Sequence, residues 1–128
     1  MTRYLSVADI MALHDEMRRR TGYAPAPLRD EGLLESATLR PQMAAHYEQA
    51  DFVRQAALLA IGISQDQPYL DGNKRTAFLA AVVFLRRNGR PFQGDRLELA
   101  RRLEAVSRRP GSLEAATQRF EDWLRQNV

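Results

Sequence analysis

The chain has 128 residues, of which 45% are hydrophobic and 27% charged, and these values predict one globular domain spanning residues 1–128. It contains no cysteine, which excludes a disulfide framework, an iron–sulfur cluster and a thiolate zinc site, and two histidines are too few for a histidine-rich metal site. The formal net charge of +3 rests almost wholly on arginine, because Lys74 is the only lysine. That charge suits a nucleotide, a nucleic acid or an acidic protein and does not choose among them.

The N-terminal residues lack the apolar stretch of a signal peptide, and no apolar run approaches the ~20 residues that a membrane span needs. We therefore expect a cytoplasmic protein with no membrane partner. Arginine pairs occur late in the chain, but no aromatic residues are interleaved with them for base stacking, so no nucleic-acid partner is expected.

Apolar spacing and turn residues predict helices throughout and no strand, so the expected fold class is all-α, a compact bundle of about six helices. The first helix is predicted over Val7–Arg20, with Ser6 and Asp9 forming a capping box. A second helix is predicted to start near Asp30 and to end before Pro41, because proline disfavours helix at the residue that precedes it.

The middle of the chain predicts the centre of the bundle. Residues 43–51 are ambiguous between a short helix and a flap. Residues 52–64 are apolar on nearly every side, which predicts a buried helix. The remaining helices are predicted over residues 73–87, 95–106 and 112–126, with Asp95 and Ser112 as the caps of the last two.

A cationic turn precedes the second central helix, in the run Asp71-Gly72-Asn73-Lys74-Arg75. The first turn of a helix carries N–H groups without internal acceptors, and its dipole attracts anions. Gly72 permits a close backbone approach, and Asn73 can bridge the turn through its side chain. A helix without a ligand favours acids here, so Lys74 and Arg75 indicate a bound phosphate, with Asp71 placed to hold Mg²⁺. An ordinary capped helix with two solvated cations would read the same way.

The whole segment 67–77, Gln-Pro-Tyr-Leu-Asp-Gly-Asn-Lys-Arg-Thr-Ala, resembles the active-site motif of the Fic/Doc family. That motif is His-x-Phe-x-(Asp/Glu)-(Gly/Ala)-Asn, followed by Gly-Arg in Fic proteins and by Lys-Arg in the death-on-curing (Doc) branch. Lys74 and Arg75 match the Doc form, and Phe78 stands where Fic proteins carry a further arginine. Flanking similarities, including Leu28-Arg29-Asp30 and Phe84 to Gly89, extend the resemblance over about residues 4–90.

The resemblance implies a Doc-like toxin of a toxin–antitoxin system. It also implies a compact Fic/Doc-type helical bundle with the motif loop at the N-terminus of a central helix. It implies transfer of phosphate from ATP to a hydroxyl of a translation factor similar to elongation factor Tu, and neutralisation by an antitoxin bound in trans. Carried over residue by residue, Asp71 would hold Mg²⁺, and Arg75 would stabilise charge on the transferred group. The implied phosphate cradle consists of Gly72, Asn73, Lys74 and Arg75.

Gln67 departs from the family pattern, because it stands where the family has the histidine that takes the hydroxyl proton. A carboxamide is too weak a base for that step, so the enzyme is expected to be inactive or attenuated. His14 is expected to pack or hydrogen-bond in the first helix, and His46 could approach the site only from the ambiguous segment. Three alternatives remain: an introduced inactivating change, a catalytically silent homologue that binds nucleotide or a partner, or a route that tolerates glutamine. Transfer of AMP in place of phosphate also stays open.

Overall fold

A computed structural model describes all 128 residues and contains six α-helices and no strand, as the sequence predicts. An isolated antiparallel bridge between Leu28 and Tyr69 is the one β-type pairing. None of the helices combines the length and the apolar character needed to cross a membrane. In chain order the helices are α1 (Val7–Arg20), α2 (Glu31–Glu48), α3 (Phe52–Asp66), α4 (Asn73–Arg87), α5 (Arg96–Ser107) and α6 (Leu113–Arg125).

Helix α3 is the centre of the bundle and contacts α2, α4, α5 and α6, while α1 packs against α4 and α2. Ten of its residues are buried, which agrees with the all-round apolar pattern of the segment. A short turn joins α3 to α4, so the two helices run antiparallel and pack along their length. Tyr69 of this turn belongs to the continuous core, which anchors the turn to the two helices.

Side chains that were predicted to cap the helices do so. Ser6 and Asp9 form the capping box of α1, and Asp95 and Ser112 accept hydrogen bonds from the first turns of α5 and α6. Asp30 caps α2 in the same way, and Asp51 caps α3 although it was not predicted to. Helix α4 is the exception, because its cap is Gly72, which has no side chain to offer.

The predicted end of α2 at Pro41 is wrong, because the helix continues through this residue to Glu48 and takes in most of the ambiguous segment. Pro41 removes one helical donor, but its ring is buried among the core elements. The two helices lie very close at this level: a Cβ added at Gly62 of α3 would come within 3.3 Å of the Ala37 side chain. Packing of α2 along α3 therefore outweighs the local preference of proline to end a helix.

Candidate active site

The turn that links α3 to α4 begins at Gln67, which has φ +51° and so lies in the left-handed region. Its N–H donates to the carbonyl of Ile63, 3.2 Å away, and closes the helix. Arg29 reaches over this end of α3, with its Nε 2.9 Å from the Gln67 carbonyl oxygen and its Nη2 2.8 Å from that of Asp66. These bonds satisfy the last carbonyls of α3 and hold the backbone of Gln67, whose side chain is left free of hydrogen bonds at the surface.

The next residues of the turn are tied to the segment that precedes α2. The backbone N–H of Arg29 donates to the carbonyl of Pro68 at 2.6 Å, and the N–H of Leu70 donates to the carbonyl of Pro27 at 3.1 Å. Asn73 closes the turn from the other side: its Oδ1 accepts from the Tyr69 N–H at 3.0 Å, and its Nδ2 donates to the Tyr69 carbonyl at 2.8 Å. The amide of Asn73 is thus occupied in bridging the turn, and what it can still offer a ligand is its backbone N–H.

His14 of α1 packs against the turn. It is fully buried in α1, and its ring is stacked on that of Tyr69 with a centroid distance of 3.6 Å and an angle of 7°. Its Nε2 lies 3.0 Å from the carbonyl oxygen of Asp71, which fixes Nε2 as the protonated donor. The sequence predicted a structural His14 but not its contact with the motif, because the two lie 57 residues apart.

The N-terminus of α4 presents three free backbone donors. Gly72 has φ +86°, and the first hydrogen bond of the helix runs from Thr76 N–H to the Gly72 carbonyl at 3.0 Å. The N–H groups of Asn73, Lys74 and Arg75 consequently have no acceptor within the chain. Together with the positive end of the helix dipole, they form a site where an oxyanion would be stabilised.

Two of the three charged motif residues are already paired. Arg18 of α1 donates from Nη1 to Asp71 Oδ2 at 2.7 Å, and this bond, aided by the Gly72 N–H, holds the pKa of the Asp71 carboxyl below its usual range. On the other side Lys74 bonds Glu104 of α5, and that contact lowers the pKa of Glu104. Arg75 has neither an ion pair nor a hydrogen bond, so it is the motif cation that is available to a ligand.

A cavity of about 430 Å³ opens in front of the turn and brings the predicted site residues together. A second groove of about 430 Å³ continues from it between α4 and α5, shares Lys74 and Arg75 with it, and has an apolar floor. His46 does not line this cavity: it lies in the last turn of α2, which ends four residues before α3 begins, and the cavity lies at the other end of α3. The predicted residues that line the first cavity are Gln67, Asp71, Gly72, Asn73, Lys74 and Arg75.

Asp71 is the only carboxylate that lines the cavity, and no cluster of three or more potential metal-ligating side chains occurs in the chain. Mg²⁺ is commonly held by one or two carboxylates together with substrate phosphates, so a single aspartate fits a metal that arrives with a nucleotide. Both oxygens of Asp71 already accept hydrogen bonds, from Arg18 and from Gly72. A metal would therefore have to compete with Arg18 for this side chain.

Sequence comparison agrees with this geometry. The model of the Fic/DOC family matches residues 4–85, a span that runs from before α1 into the last turns of α4. The chain is 35% identical to the protein kinase doc of Escherichia phage P1 over 88 residues, covering 68% of this chain and 69% of the relative. It is also 35% identical to the toxin Doc of Mycolicibacterium smegmatis (strain ATCC 700084 / mc(2)155) over 97 residues, which cover 70% and 67% of the two chains. With an all-helical fold and the motif at the start of α4, this chain belongs to the Fic/DOC family.

Proposed function

We propose that the chain is a Doc-like toxin that binds ATP with Mg²⁺ and transfers the terminal phosphate to a hydroxyl of a translation factor, at a rate limited by Gln67. The observation that carries the proposal is the uncapped N-terminus of α4, where three free N–H groups, Lys74 and Arg75 face one cavity. Every other helix begins with a side-chain cap, and an anion would satisfy these donors as a cap does elsewhere.

The motif residues have separable roles in this proposal. The backbone donors from Asn73 to Arg75 hold oxygens of the transferred phosphate, and the unpaired Arg75 stabilises the charge that develops on it. Asp71 would hold the metal, which supplies charge neutralisation between the phosphates when bound. His14, Arg29 and the side-chain amide of Asn73 bond to the turn, so they position the cradle and do not touch the reacting atoms.

Gln67 sets the limit on catalysis. In the transfer the hydroxyl oxygen bonds to the γ-phosphorus, the bond from that phosphorus to the bridging oxygen breaks, and the hydroxyl proton must leave. A carboxamide cannot accept this proton, whereas an imidazole at the same position could. Loss of a general base costs ~10²–10⁴ in rate. Gln67 lines the cavity with its side chain unbonded, so a histidine there would meet no competing partner.

The test is the substitution Gln67→His, assayed with purified elongation factor Tu and ATP labelled on the γ-phosphate. We expect labelling of the factor to rise by about 10²-fold or more over the unsubstituted chain, and expression of the variant to arrest growth. Gln67→Asn is the matched control, because it changes the side chain without providing a base. If the histidine variant is folded but labels nothing above this control, the phosphotransfer proposal fails.

The position of the label separates the two possible transfers. ATP labelled on the α-phosphate should leave the target unlabelled if phosphate is moved, and should label it if the chain transfers AMP. Calorimetry tests the remaining alternative, a silent homologue that only binds nucleotide. That alternative is favoured if ATP binds to the unsubstituted chain and to Gln67→His, if binding is lost in Arg75→Ala, and if neither of the two ATP-binding proteins labels any target.

The antitoxin is proposed to bind in trans over the groove between α4 and α5. Six of the nine residues that line it are apolar, and the other three are Lys74, Arg75 and Arg96. An amphipathic helix with apolar anchors and acidic flanking residues would match both features. The apolar residues of the groove are Met17, Phe78, Leu79, Leu97, Ala100 and Leu103.

A further inference from the structure

Arg18 lies outside the motif, but its guanidinium reaches the motif turn. It lies in the last turn of α1, yet its side chain is only 13% exposed and lines the cavity in front of the turn. Three contacts fix it: Nη1 lies 2.7 Å from Asp71 Oδ2, Nε lies 2.8 Å from the carbonyl oxygen of Ala24, and the guanidinium stands 5.0 Å from the ring centroid of Tyr23. The guanidinium is therefore held in place before any ligand arrives.

The position of the Arg18 guanidinium matters because its partner is Asp71. It is the only acid of the cavity, and its second oxygen accepts the Gly72 N–H at 2.9 Å. The Asp71 side chain is 73% exposed, so a divalent cation can reach it from solvent but must then displace the guanidinium or share the carboxylate with it. A charge-assisted hydrogen bond of this kind is among the stronger polar contacts in proteins, and two cations on one carboxylate repel each other.

We propose that Arg18 is the internal counter-ion of Asp71 and competes with divalent metal for that carboxylate, so that it sets the metal concentration at which the site becomes loaded. This inference rests on the proposed function, because it takes Asp71 to be the metal-binding residue. Arg18 is a positioning residue in this role, since it acts through Asp71.

The test compares the full-length chain with Arg18→Gln, which removes the charge and keeps a hydrogen-bonding amide. Mn²⁺ is titrated without nucleotide to millimolar concentrations, because a single carboxylate without phosphate ligands holds the ion weakly, and paramagnetic broadening of the Asp71 and Gly72 amide signals is followed by NMR. We expect the variant to reach half-maximal broadening at about tenfold lower Mn²⁺ than the natural chain. Arg19→Gln is the matched control, because Arg19 is its neighbour, is 76% exposed and pairs only with Glu16; its titration should follow the natural chain.

Several outcomes would overturn the proposal. These are equal Mn²⁺ profiles for the natural chain and Arg18→Gln, weaker binding in the variant, or no broadening at Gly72 in either protein. If Arg18→Gln does not fold, Arg18→Lys serves instead: it keeps the charge and loses the planar fork, so its midpoint should fall below that of the natural chain, and an unchanged midpoint contradicts the idea. ATP titration by calorimetry separates the two proposals, because a shifted Mn²⁺ midpoint without ATP binding keeps the role of Arg18 and removes the nucleotide function.

Discussion

Gly72 is the residue at which the fold and the candidate site constrain each other most tightly. Its φ of +86° turns the chain from the loop into α4, and its α-carbon lies against α1. A Cβ built there would come within 2.9 Å of Met17 Cε and 3.2 Å of His14 Nε2. The absence of a side chain therefore permits the left-handed φ and leaves room for His14 to pack against the turn. Both effects orient the free N–H groups of α4 towards the cavity.

Gly72→Ala should consequently destabilise the protein and weaken phosphate binding. The left-handed φ costs about 1–2 kcal/mol for an alanine, and overpacking against the His14 ring adds about 1 kcal/mol, since the flexible end of Met17 can move away. Gly89→Ala is the matched control, because Gly89 has φ +77° but nothing within 4 Å of a built Cβ. Urea unfolding should show the smaller loss for Gly89→Ala, and calorimetry should show ATP affinity reduced only in Gly72→Ala. Equal effects of the two substitutions would mean that the contact with α1 is unimportant.

At the scale of helices, α5 supplies a group that the family motif does not contain. Glu104 lies beyond the residues matched by the family model and bonds Lys74 across the groove between α4 and α5. It also pairs with Arg108 of its own helix at 3.3 Å. A phosphate that binds Lys74 must break the contact between Lys74 and Glu104. Glu104 therefore weakens phosphate binding.

Glu104→Gln should therefore tighten ATP binding by about two- to fivefold at low salt, a modest factor because exposed ion pairs are weak. Glu98→Gln is the control on the same helix, because Glu98 pairs only with Arg101 and Arg102. The decisive comparison is made in a Lys74→Gln background, where Glu104→Gln should change the affinity little. A tightening that persists in that background would show that Glu104 acts through the general field of the surface.

The sequence predicts a structural feature well when the residues that determine it lie close together in the chain. The capping box of Ser6 and the caps at Asp95 and Ser112 are local, and they were predicted correctly. The predicted end of α2 at Pro41 was wrong because the packing of α2 on α3 decides where the helix ends, and local sequence preferences do not describe that packing. Arg18 and Glu104 lie 53 and 30 residues from their partners in the motif, so only the fold reveals them.

At the scale of the whole molecule, an ion network at the end opposite the cavity joins the last helix to the central one. Asp51 caps α3 by accepting the Arg54 N–H at 3.0 Å, and it also pairs with Arg125 of α6, whose Nη2 lies 3.2 Å from Asp51 Oδ1. Arg125 and Arg54 both contact Glu121, which is only 7% exposed. This network holds α6 to the start of α3, 74 residues away in the chain.

Acid should weaken this connection in a way that one substitution can isolate. The hydrogen bond from Arg125, supported by the Arg54 N–H, holds the pKa of Asp51 below its ordinary value of 3.8. A pKa that is lower in the folded state contributes stability that is complete above the unfolded value and is lost as the pH falls through the folded value. Thermal unfolding should therefore show a constant contribution above about pH 5 and a decline below about pH 4.

Asp51→Asn should remove part of that decline, because asparagine keeps the helix cap without the charge. Since Asp51 is half exposed, the loss at neutral pH should be at most about 1 kcal/mol. Asp122→Asn is the control, because Asp122 is exposed on the same helix as Arg125 and contacts only Gln118. If the melting temperature of Asp51→Asn falls with acid as steeply as that of the natural chain, the acid sensitivity comes from other groups. A shallower acid slope in Asp51→Asn alone would assign it to the link between α3 and α6.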